Sequence, residues 1–194
     1  MGGRKDRFCD HFHLPLQSGH DRILSLMRRS YNCSEYESTL TLIRRYFPHA
    51  NLTADVIPGF PGESDLEFAA TVEFIRQSGL NGLHVFPYSK RPNTAAARMP
   101  GHIEASIVKS RAAELRKLAA ELQGAYARSF LNKNLTVLWE HQYDEAGRLK
   151  GKSKNYLNIV SKPSEQIQPG MISEVTLKGF TNQFDLLAIP SLTY

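Results

Sequence analysis

The best candidate for chemistry in this sequence is a glycine-rich turn over residues 55–63, which reads Asp-Val-Ile-Pro-Gly-Phe-Pro-Gly-Glu. Gly59 and Gly62 can adopt positive φ, and the prolines before them fix φ and lack an N–H, so the backbone must turn sharply here. Apolar and β-branched residues precede the turn and predict a buried strand. We therefore predict a strand-to-helix loop, which in α/β barrels lies on the ligand-binding face. Ordinary tight turns share this composition, so that interpretation also stays open.

A second candidate is a basic segment in the last third of the chain. Its members alternate with other residues and end beside an aromatic ring: Arg148, Lys150, Lys152, Lys154 and Tyr156. We interpret the segment as a loop in a basic hairpin. Small β-barrels bind single-stranded RNA with basic grooves and aromatic side chains. Charge runs are also common on solvated surfaces, so the pattern alone leaves both interpretations open.

Histidines offer a third candidate, because His11, His13 and His84 all lie on predicted strands. No cysteine or further histidine recurs near them at the spacing typical of metal ligands. We therefore predict no metal site from the sequence.

Composition indicates a folded protein of the reducing cytoplasm. The hydrophobic fraction is 41% and the charged fraction 22%, both ordinary for globular proteins. No apolar run reaches the roughly 18 residues of a membrane span, and the polar residues 1–10 do not resemble a signal peptide. Two cysteines do not make a disulfide framework. A net charge of +5 permits a phosphate-bearing partner without requiring one.

The first two thirds of the chain alternate between strand and helix patterns. Capping boxes are predicted at Ser34 with Glu37 and at Ser64 with Glu67. The order β-αα-β-α-β-α predicts an α/β fold with a parallel sheet and an exposed edge strand. Three strands are too few for a closed barrel, so we expect the C-terminal part of a partial (β/α) TIM-like barrel. The predicted strands are 11–16, 52–57 and 83–86, and the predicted helices are 21–27, 33–47, 66–77 and 104–130.

The last third of the chain changes to a period of two. Short strands separated by turn signals are typical of a small all-β barrel of the OB type. We place the boundary near Asn132, which gives one domain over 1–131 and a second over 132–194. The predicted strands of the second domain are 136–140, 156–160, 172–177 and 185–189.

Three ordered stretches resemble the radical-SAM methylthiotransferases, and the closing barrel resembles the TRAM domain of that family. The motif Tyr88-Ser89-x-Arg91 is similar to the tRNA-modifying branches, because the branch that acts on a ribosomal protein tends to carry an acidic residue at the position of Arg91. Residues 84–87 look most like the branch that modifies threonylcarbamoyladenosine, and the isopentenyladenosine branch is the nearest competitor. The stretches are 13–19 with Asp21 and Arg22, 55–63, and 84–96.

The resemblance implies roles for particular residues. Gln17 and Ser18 would contact the ribose and amino-acid portion of S-adenosylmethionine, and both can donate and accept hydrogen bonds. The turn from Gly59 to Glu63 would bring the backbone against adenine, where glycine permits close approach. Arg91 would hold the cofactor carboxylate or an RNA phosphate, although a salt bridge at the mouth of the sheet is the plainer alternative.

The resemblance also implies iron–sulfur chemistry that this chain cannot supply by the family's usual motif. The family holds a 4Fe–4S cluster on a Cys-x-x-x-Cys-x-x-Cys loop and a further three-cysteine cluster in an upstream domain. Cys9 and Cys33 lie 24 residues apart and form neither set. We therefore expect the chain to be inactive alone, with the clusters in a missing N-terminal portion.

Two functional hypotheses follow from the resemblance, and a third comes from fold class. The first is the C-terminal portion of an enzyme that adds a methylthio group to threonylcarbamoyladenosine beside the anticodon of tRNA. The second is an inactive RNA-binding module. The third, an unrelated aldolase-like barrel, is disfavoured because no lysine lies at a suitable strand end.

Overall fold

The computed structural model describes residues 8–181 and 185–191, and contacts divide the chain into two compact units. The first, Phe12–Leu122, is an α/β unit; the second joins Met1–His11 to Gln123–Tyr194 and contains a β-barrel. This division falls within a helix, whereas the predicted boundary at 131/132 lies just beyond that helix, and the domain bounds stay a prediction. None of the described helices is both long and apolar enough to cross a membrane.

Strands and helices alternate in the α/β unit as the sequence predicts. The three strands form one sheet in the order β1-β2-β3, and β2 pairs with β3 in parallel. A further parallel bridge joins Gln17 to Val56, so the chain beyond β1 also follows β2. The elements are β1 (His11–His13), α1 (Asp21–Leu26), α2 (Cys33–Tyr46), β2 (Asn51–Val56), α3 (Asp65–Gln77), β3 (Gly82–Val85), a 3₁₀ turn (Ala96–Arg98) and α4 (Ala105–Arg128).

Capping chemistry fixes where the helices begin. The predicted box of α3 is confirmed, because the Ser64 side chain accepts the Glu67 N–H and the Glu67 carboxylate accepts the Ser64 N–H. The predicted box of α2 is wrong by two residues, since Asn32 is the N-cap and its partner is Glu35. Asn32 has the extended backbone that an N-cap needs, whereas residue 34 already lies in the first helical turn.

The core of the α/β unit lies between the helices and one face of the sheet. Most residues predicted to point inward from α2 and α3 are buried, including Leu40, Phe68 and Ile75, whereas Ile43 and Phe47 are partly buried against the same core. One prediction for α4 is wrong: Ile107 is 41% exposed, and the neighbouring Val108 is the buried residue. Each fully buried Leu or Ile contributes about 1.5–3 kcal/mol, so this core fixes the strand ends from which the loops emerge.

The second unit is a closed five-stranded barrel in the order β4-β5-β6-β8-β7. Antiparallel pairing of β4 with β7 closes it, and β6 pairs with β8 in parallel. Trp139 is buried inside, where its indole Nε1–H donates to the Ser173 hydroxyl at 2.7 Å. The strands are β4 (Asn134–Tyr143), β5 (Leu149–Ser153), β6 (Asn158–Ser161), β7 (Ile172–Phe180) and β8 (Leu186–Pro190).

Strand β5 corrects the sequence interpretation, which placed these residues in a loop. Leu149, Gly151 and Ser153 are buried inside the barrel, while Lys150 and Lys152 alternate with them on the outer face. A Cβ atom at Gly151 would lie 2.5 Å from a methyl group of Val137, so glycine lets β5 pack against β4. The alternating lysines are therefore the outward residues of a strand.

Candidate functional site

A cleft of about 960 Å³ lies where the loops leave the carboxyl ends of the sheet strands. Ile57 and Phe60 come from the loop after β2, and Phe86 to Ser89 come from the loop after β3. Residues 25–29, at the end of α1, form the third wall. The volume falls within the range of small-molecule sites, about 300–1,000 Å³. The loops after β2 and β3 therefore share one mouth with the end of α1.

The cleft is positively charged and partly aromatic. Its lining residues include no aspartate or glutamate. Four arginines line the cleft, namely Arg28, Arg29, Arg91 and Arg98. Phe60 packs edge-on against Tyr88, with 5.5 Å between ring centroids. The Tyr88 hydroxyl is buried and has no hydrogen-bond partner in the described ranges. An anionic ligand with an aromatic or sugar portion would match this combination of charge and apolar surface.

Arg91, a predicted site residue, lies at this cleft in an exposed loop. Across residues 8–181 and 185–191 it forms none of the observed ion pairs, so the salt-bridge alternative finds no support there. The Thr94 hydroxyl donates to the Arg91 carbonyl at 2.9 Å, and Asn93 adopts a φ of 65°. Local backbone bonds shape this loop and leave the guanidinium available to a ligand.

Gly59, a second predicted site residue, is required by the protein interior. It adopts a φ of 83°, and a Cβ atom there would lie 2.6 Å from a methyl carbon of Val108 on α4. Both the backbone conformation and the space exclude a side chain. The approach of adenine to this turn stays a prediction, and the contact with Val108 already requires a glycine here.

Glu63, also predicted to bind the cofactor, is buried beneath the same turn. Its carboxylate accepts the Gly59 N–H at 2.8 Å and pairs with Arg111 Nη1 at 2.7 Å. Arg111 is itself buried and reaches Asp65 at 2.6 Å. Burial raises the pKa of Glu63, while the Gly59 N–H and Arg111 act in the opposite direction. The carboxylate therefore braces the turn from inside and does not line the cleft.

Gln17 and Ser18 are likewise buried and lie outside the cleft lining. Gln17 has a φ of 68°; its N–H donates to the Asp55 carbonyl at 2.8 Å, and its carbonyl accepts the Ile57 N–H at 2.9 Å. The Ser18 and Thr71 hydroxyls lie 3.2 Å apart and share a hydrogen bond. These residues tie the segment after β1 to β2 and α3, and their predicted contact with the cofactor stays a prediction.

The five predicted RNA-binding residues occupy different settings in the barrel. Arg148 pairs with Asp144 at 2.6 Å, and Lys154 lies 3.9 Å from Asp10. Lys150 and Lys152 share the outer face of β5, where they line a groove of about 360 Å³ together with Glu140 and Asp185. The groove is therefore of mixed charge.

Tyr156 completes the predicted set at the turn between β5 and β6. It has a φ of 61°, is 53% exposed, and stacks on His11 with 4.7 Å between ring centroids. The Tyr156 ring therefore presents an exposed aromatic surface next to Lys152 and Lys154 in the sequence.

Sequence reasoning missed four arginines that shape the site. Arg28, Arg29 and Arg98 line the cleft, and Arg111 supports the turn below it. The adjacent pair of arginines at the end of a short helix was a visible signal for the cleft. Arg111 gave no such signal, because it lies among the charged residues of α4 that were expected to face solvent.

Comparisons with known proteins match the amino-acid sequence of this chain to one family. A family described as the Radical SAM superfamily matches residues 4–75. The threonylcarbamoyladenosine tRNA methylthiotransferase of Bacillus subtilis is 34% identical over 178 residues, covering 90% of this chain and 40% of the relative.

Two further relatives are both named tRNA-2-methylthio-N(6)-dimethylallyladenosine synthase. The protein from Corynebacterium urealyticum is 35% identical over 87% of this chain and 32% of its own length. The protein from Maricaulis maris is 34% identical over 89% of this chain and 38% of its own length. The chain thus spans between 32% and 40% of the length of these relatives. Motifs and similarity over most of its residues place this chain in the radical-SAM methylthiotransferase family.

Proposed function

We propose that this chain is the C-terminal portion of a tRNA methylthiotransferase. The whole protein would add a methylthio group to a modified adenosine beside the anticodon, using S-adenosylmethionine in the cytoplasm. The observation that carries the proposal is the arginine-lined cleft at the carboxyl ends of β2 and β3, because the loops after both strands border it together with the end of α1. In α/β barrels that end of the strands is where ligands bind.

The α/β unit would bind and orient S-adenosylmethionine, which supplies the radical chemistry when it is bound. Arg91 would pair with the cofactor carboxylate in a charge-assisted hydrogen bond. The Tyr88 hydroxyl needs a partner, and the adenosine portion offers several acceptors. Gln17, Ser18, Gly59 and Glu63 would hold the walls of the mouth in place from behind.

The iron–sulfur clusters of the family would be held by a part of the protein outside this chain. The chain has two cysteines, and a cluster site of the family type needs three thiolates in one short loop. Burial, followed by the contact with Asp21, raises the pKa of the Cys33 thiol to about 12, so Cys33 stays protonated at neutral pH. These residues do not fit a 4Fe–4S cluster, and the chain alone would lack methylthiotransferase activity.

The barrel would bind the anticodon arm of tRNA as a TRAM-like domain. In support, the unit contains a closed barrel of five strands, which is the number of strands in an OB-type barrel. Lys150 and Lys152 point outward together, and Tyr156 offers a ring on which a base could stack. Arg148 and Lys154 would contribute after exchanging their carboxylate partners for phosphates.

The modified adenosine in our proposal is threonylcarbamoyladenosine. Its support is the His84-Val85-Phe86-Pro87 segment together with the Bacillus subtilis relative. The isopentenyladenosine branch is the second candidate, because the two relatives named as dimethylallyladenosine synthases are 34–35% identical over similar lengths of this chain.

An anticodon stem–loop titration tests the RNA-binding part of the proposal. We expect fluorescence anisotropy to show binding that weakens with salt at a log–log slope of about −0.7 for each phosphate contact. Lys150→Ala/Lys152→Ala should weaken binding at least fivefold and make the slope shallower by about one contact or more. Lys109→Ala/Lys117→Ala, which removes two exposed lysines of α4, is the matched control. Equal loss in both double variants, or a flat salt response, would remove the RNA assignment.

Calorimetry with S-adenosylmethionine tests the cofactor part independently. We expect saturable heat from the chain alone, since the cleft does not depend on cluster cysteines. No heat at millimolar ligand, from protein whose helical circular dichroism is intact, would contradict the assignment of the cleft.

A further inference from the structure

We propose that His13, Asp55 and His84 form a binding site for one divalent transition-metal ion, of which Zn²⁺ is the best match. One potential ligand atom from each of the three side chains lies within 4.8 Å of the other two. None of the three side chains lines the arginine-rich cleft. Asp55 and His84 each lie two residues before a residue that does line it, Ile57 and Phe86, so the site would adjoin the place assigned to S-adenosylmethionine.

The sheet brings these residues together although they are far apart in sequence. β1, β2 and β3 are neighbours in that order, and each contributes one residue. Asp55 on the central strand is the direct register partner of His84 on β3. In adjacent strands, side chains at paired positions project to the same face. Backbone register therefore fixes the cluster, and it does not depend on a loop conformation.

The distances within the cluster are close to those that a bound ion needs. His13 Nε2 lies 3.0 Å from Asp55 Oδ1, and His84 Nδ1 lies 3.6 Å from the same oxygen. Tetrahedral zinc with bonds of about 2.0–2.2 Å to nitrogen and oxygen separates its ligand atoms by about 3.3–3.5 Å. Small side-chain rotations would replace the direct His–Asp contacts with bonds to one shared ion.

A supporting contact orients one of the imidazole rings. His13 Nδ1 lies 3.0 Å from the Thr53 hydroxyl, on the side of the ring opposite the ligand nitrogen. Metal-binding histidines almost always use their other nitrogen in such a bond, which fixes the tautomer. The His13 and His84 rings lie 5.0 Å apart between centroids, so they can approach one ion from two sides.

Two imidazoles and one carboxylate define the chemical class of the ion. Nitrogen ligands favour first-row transition metals over Mg²⁺ or Ca²⁺, and three protein ligands leave a coordination position open. The side chains of His13, Asp55 and His84 keep 33%, 26% and 62% of their accessible surface. Water or an anionic group of a bound molecule could therefore complete the coordination.

Titration of the metal-free, untagged chain with Co²⁺ and then Zn²⁺ tests this site. We expect one equivalent of Co²⁺ to develop visible absorption bands, and Zn²⁺ to displace it. His84→Asn should weaken Zn²⁺ binding at least tenfold in calorimetry, and Thr53→Val should weaken it about tenfold through the His13 ring. His102→Asn, the same change at an exposed histidine outside the cluster, is the control.

Several results would overturn the metal site. Absence of Zn²⁺ binding up to about 1 mM would leave a hydrogen-bonded His–Asp–His cluster and no metal site, since that affinity is too weak to matter. Binding that persists in His84→Asn, or that falls equally in His102→Asn, would place the ion elsewhere. His84 is mostly exposed, so its variant should fold, and unchanged circular dichroism would verify this.

Discussion

The turn after β2 and the loop after β3 both carry family motifs, but they use their polar groups in opposite ways. In the turn, residues 59–63, the Glu63 carboxylate is occupied by Gly59 and Arg111 inside the protein. In the loop, residues 86–94, the Arg91 guanidinium and the Tyr88 ring border the open cleft. The turn builds the mouth, and the loop supplies the groups that can meet a ligand.

This contrast separates two roles of a sequence motif, which are to stabilise the fold and to bind a ligand. Substitutions in the turn should reduce stability first, because they leave buried groups unpaired or overpacked. Substitutions in the loop should reduce ligand affinity while stability stays constant. Unfolding must be followed for each unit separately, since a chain with two compact units need not unfold in one step. Helical circular dichroism reports the α/β unit, and the fluorescence of the single tryptophan, Trp139, reports the barrel.

Removing Arg111 should have the largest effect on the turn. Arg111→Met leaves the Glu63 carboxylate buried without its cation, which for buried ion pairs costs about 3–5 kcal/mol of unfolding free energy. Urea unfolding followed by helical circular dichroism measures the loss. Arg116→Met is the matched control on the exposed side of α4 and should change stability by less than about 0.5 kcal/mol.

A double variant distinguishes loss of the ion pair from loss of packing at Arg111. In Glu63→Gln/Arg111→Met the uncompensated charge is gone, so much of the lost stability should return. If the double variant is as unstable as Arg111→Met alone, the guanidinium acts through its contact with the Phe68 ring, 5.2 Å away, and the electrostatic account is wrong.

Gly59→Ala should have the second-largest effect, about 2–4 kcal/mol. The new methyl group would meet Val108 at 2.6 Å while the backbone keeps a φ of 83°. Gly79→Ala is the matched control, because Gly79 has a φ of 75° and no atom of the described residues lies within 4 Å of a Cβ atom there. It should lose only about 1–2 kcal/mol, the backbone part of the effect.

Val108→Ala opens space for a methyl group at residue 59. In that background Gly59→Ala should therefore lower the free energy of unfolding by less than it does in the original chain. If Gly59→Ala costs the same stability in both backgrounds, backbone strain alone makes the glycine necessary. A Gly59→Ala variant as stable as the original chain would contradict the contact with α4 altogether.

The start of α3 could be predicted from residues that are close in sequence, but the packing around it could not. Ser64 and Glu67 are three residues apart, so their reciprocal bonds could be predicted from sequence. The partner of Gly59 is Val108, on a helix far along the chain, and only the fold reveals that contact. The predicted inward face of α4 was wrong at Ile107 because a shift of one residue turns a helix by about 100°.

Alternating charge misled the prediction in the barrel. The lysines within residues 148–154 suggested a loop. However, Leu149, Gly151 and Ser153 alternate with Lys150 and Lys152 and point inward, so the period of two belongs to strand β5. The histidine–aspartate cluster escaped for a different reason. Metal motifs are recognised by spacing in one segment, whereas His13, Asp55 and His84 meet through the register of three strands.

The carboxylate of Glu67 gives a smaller effect that depends on pH. Its hydrogen bond with Arg22, supported by Ser64, lowers its pKa from the usual 4.5 to about 2. This contribution is fully present above about pH 5.5, since the unfolded state is then also ionised, and it disappears as pH falls through 4.5 towards 2. Arg22 is half exposed, so solvent screens the pair and we expect about 1 kcal/mol between pH 6 and pH 3.

Urea unfolding of Glu67→Gln at these two pH values isolates that carboxylate. The variant should be less stable at pH 6 and should lose about 1 kcal/mol less than the original chain on going to pH 3. Glu114→Gln, an exposed position on α4, should follow the pH dependence of the original chain. An unchanged pH dependence in Glu67→Gln would show that the Arg22–Glu67 clamp does not hold the outside of the turn.

Arg91→Ala should have the smallest effect on stability and the clearest effect on binding. The side chain is exposed at the cleft, so the free energy of unfolding should change by less than about 0.5 kcal/mol. Loss of one charge-assisted bond to the cofactor carboxylate should weaken S-adenosylmethionine binding about tenfold in calorimetry. Lys90→Ala is the control, because Lys90 is adjacent and cationic but does not line the cleft. If both variants weaken binding alike, Arg91 acts only through net charge; if Arg91→Ala lowers stability instead, the loop resembles the turn and the contrast between them fails.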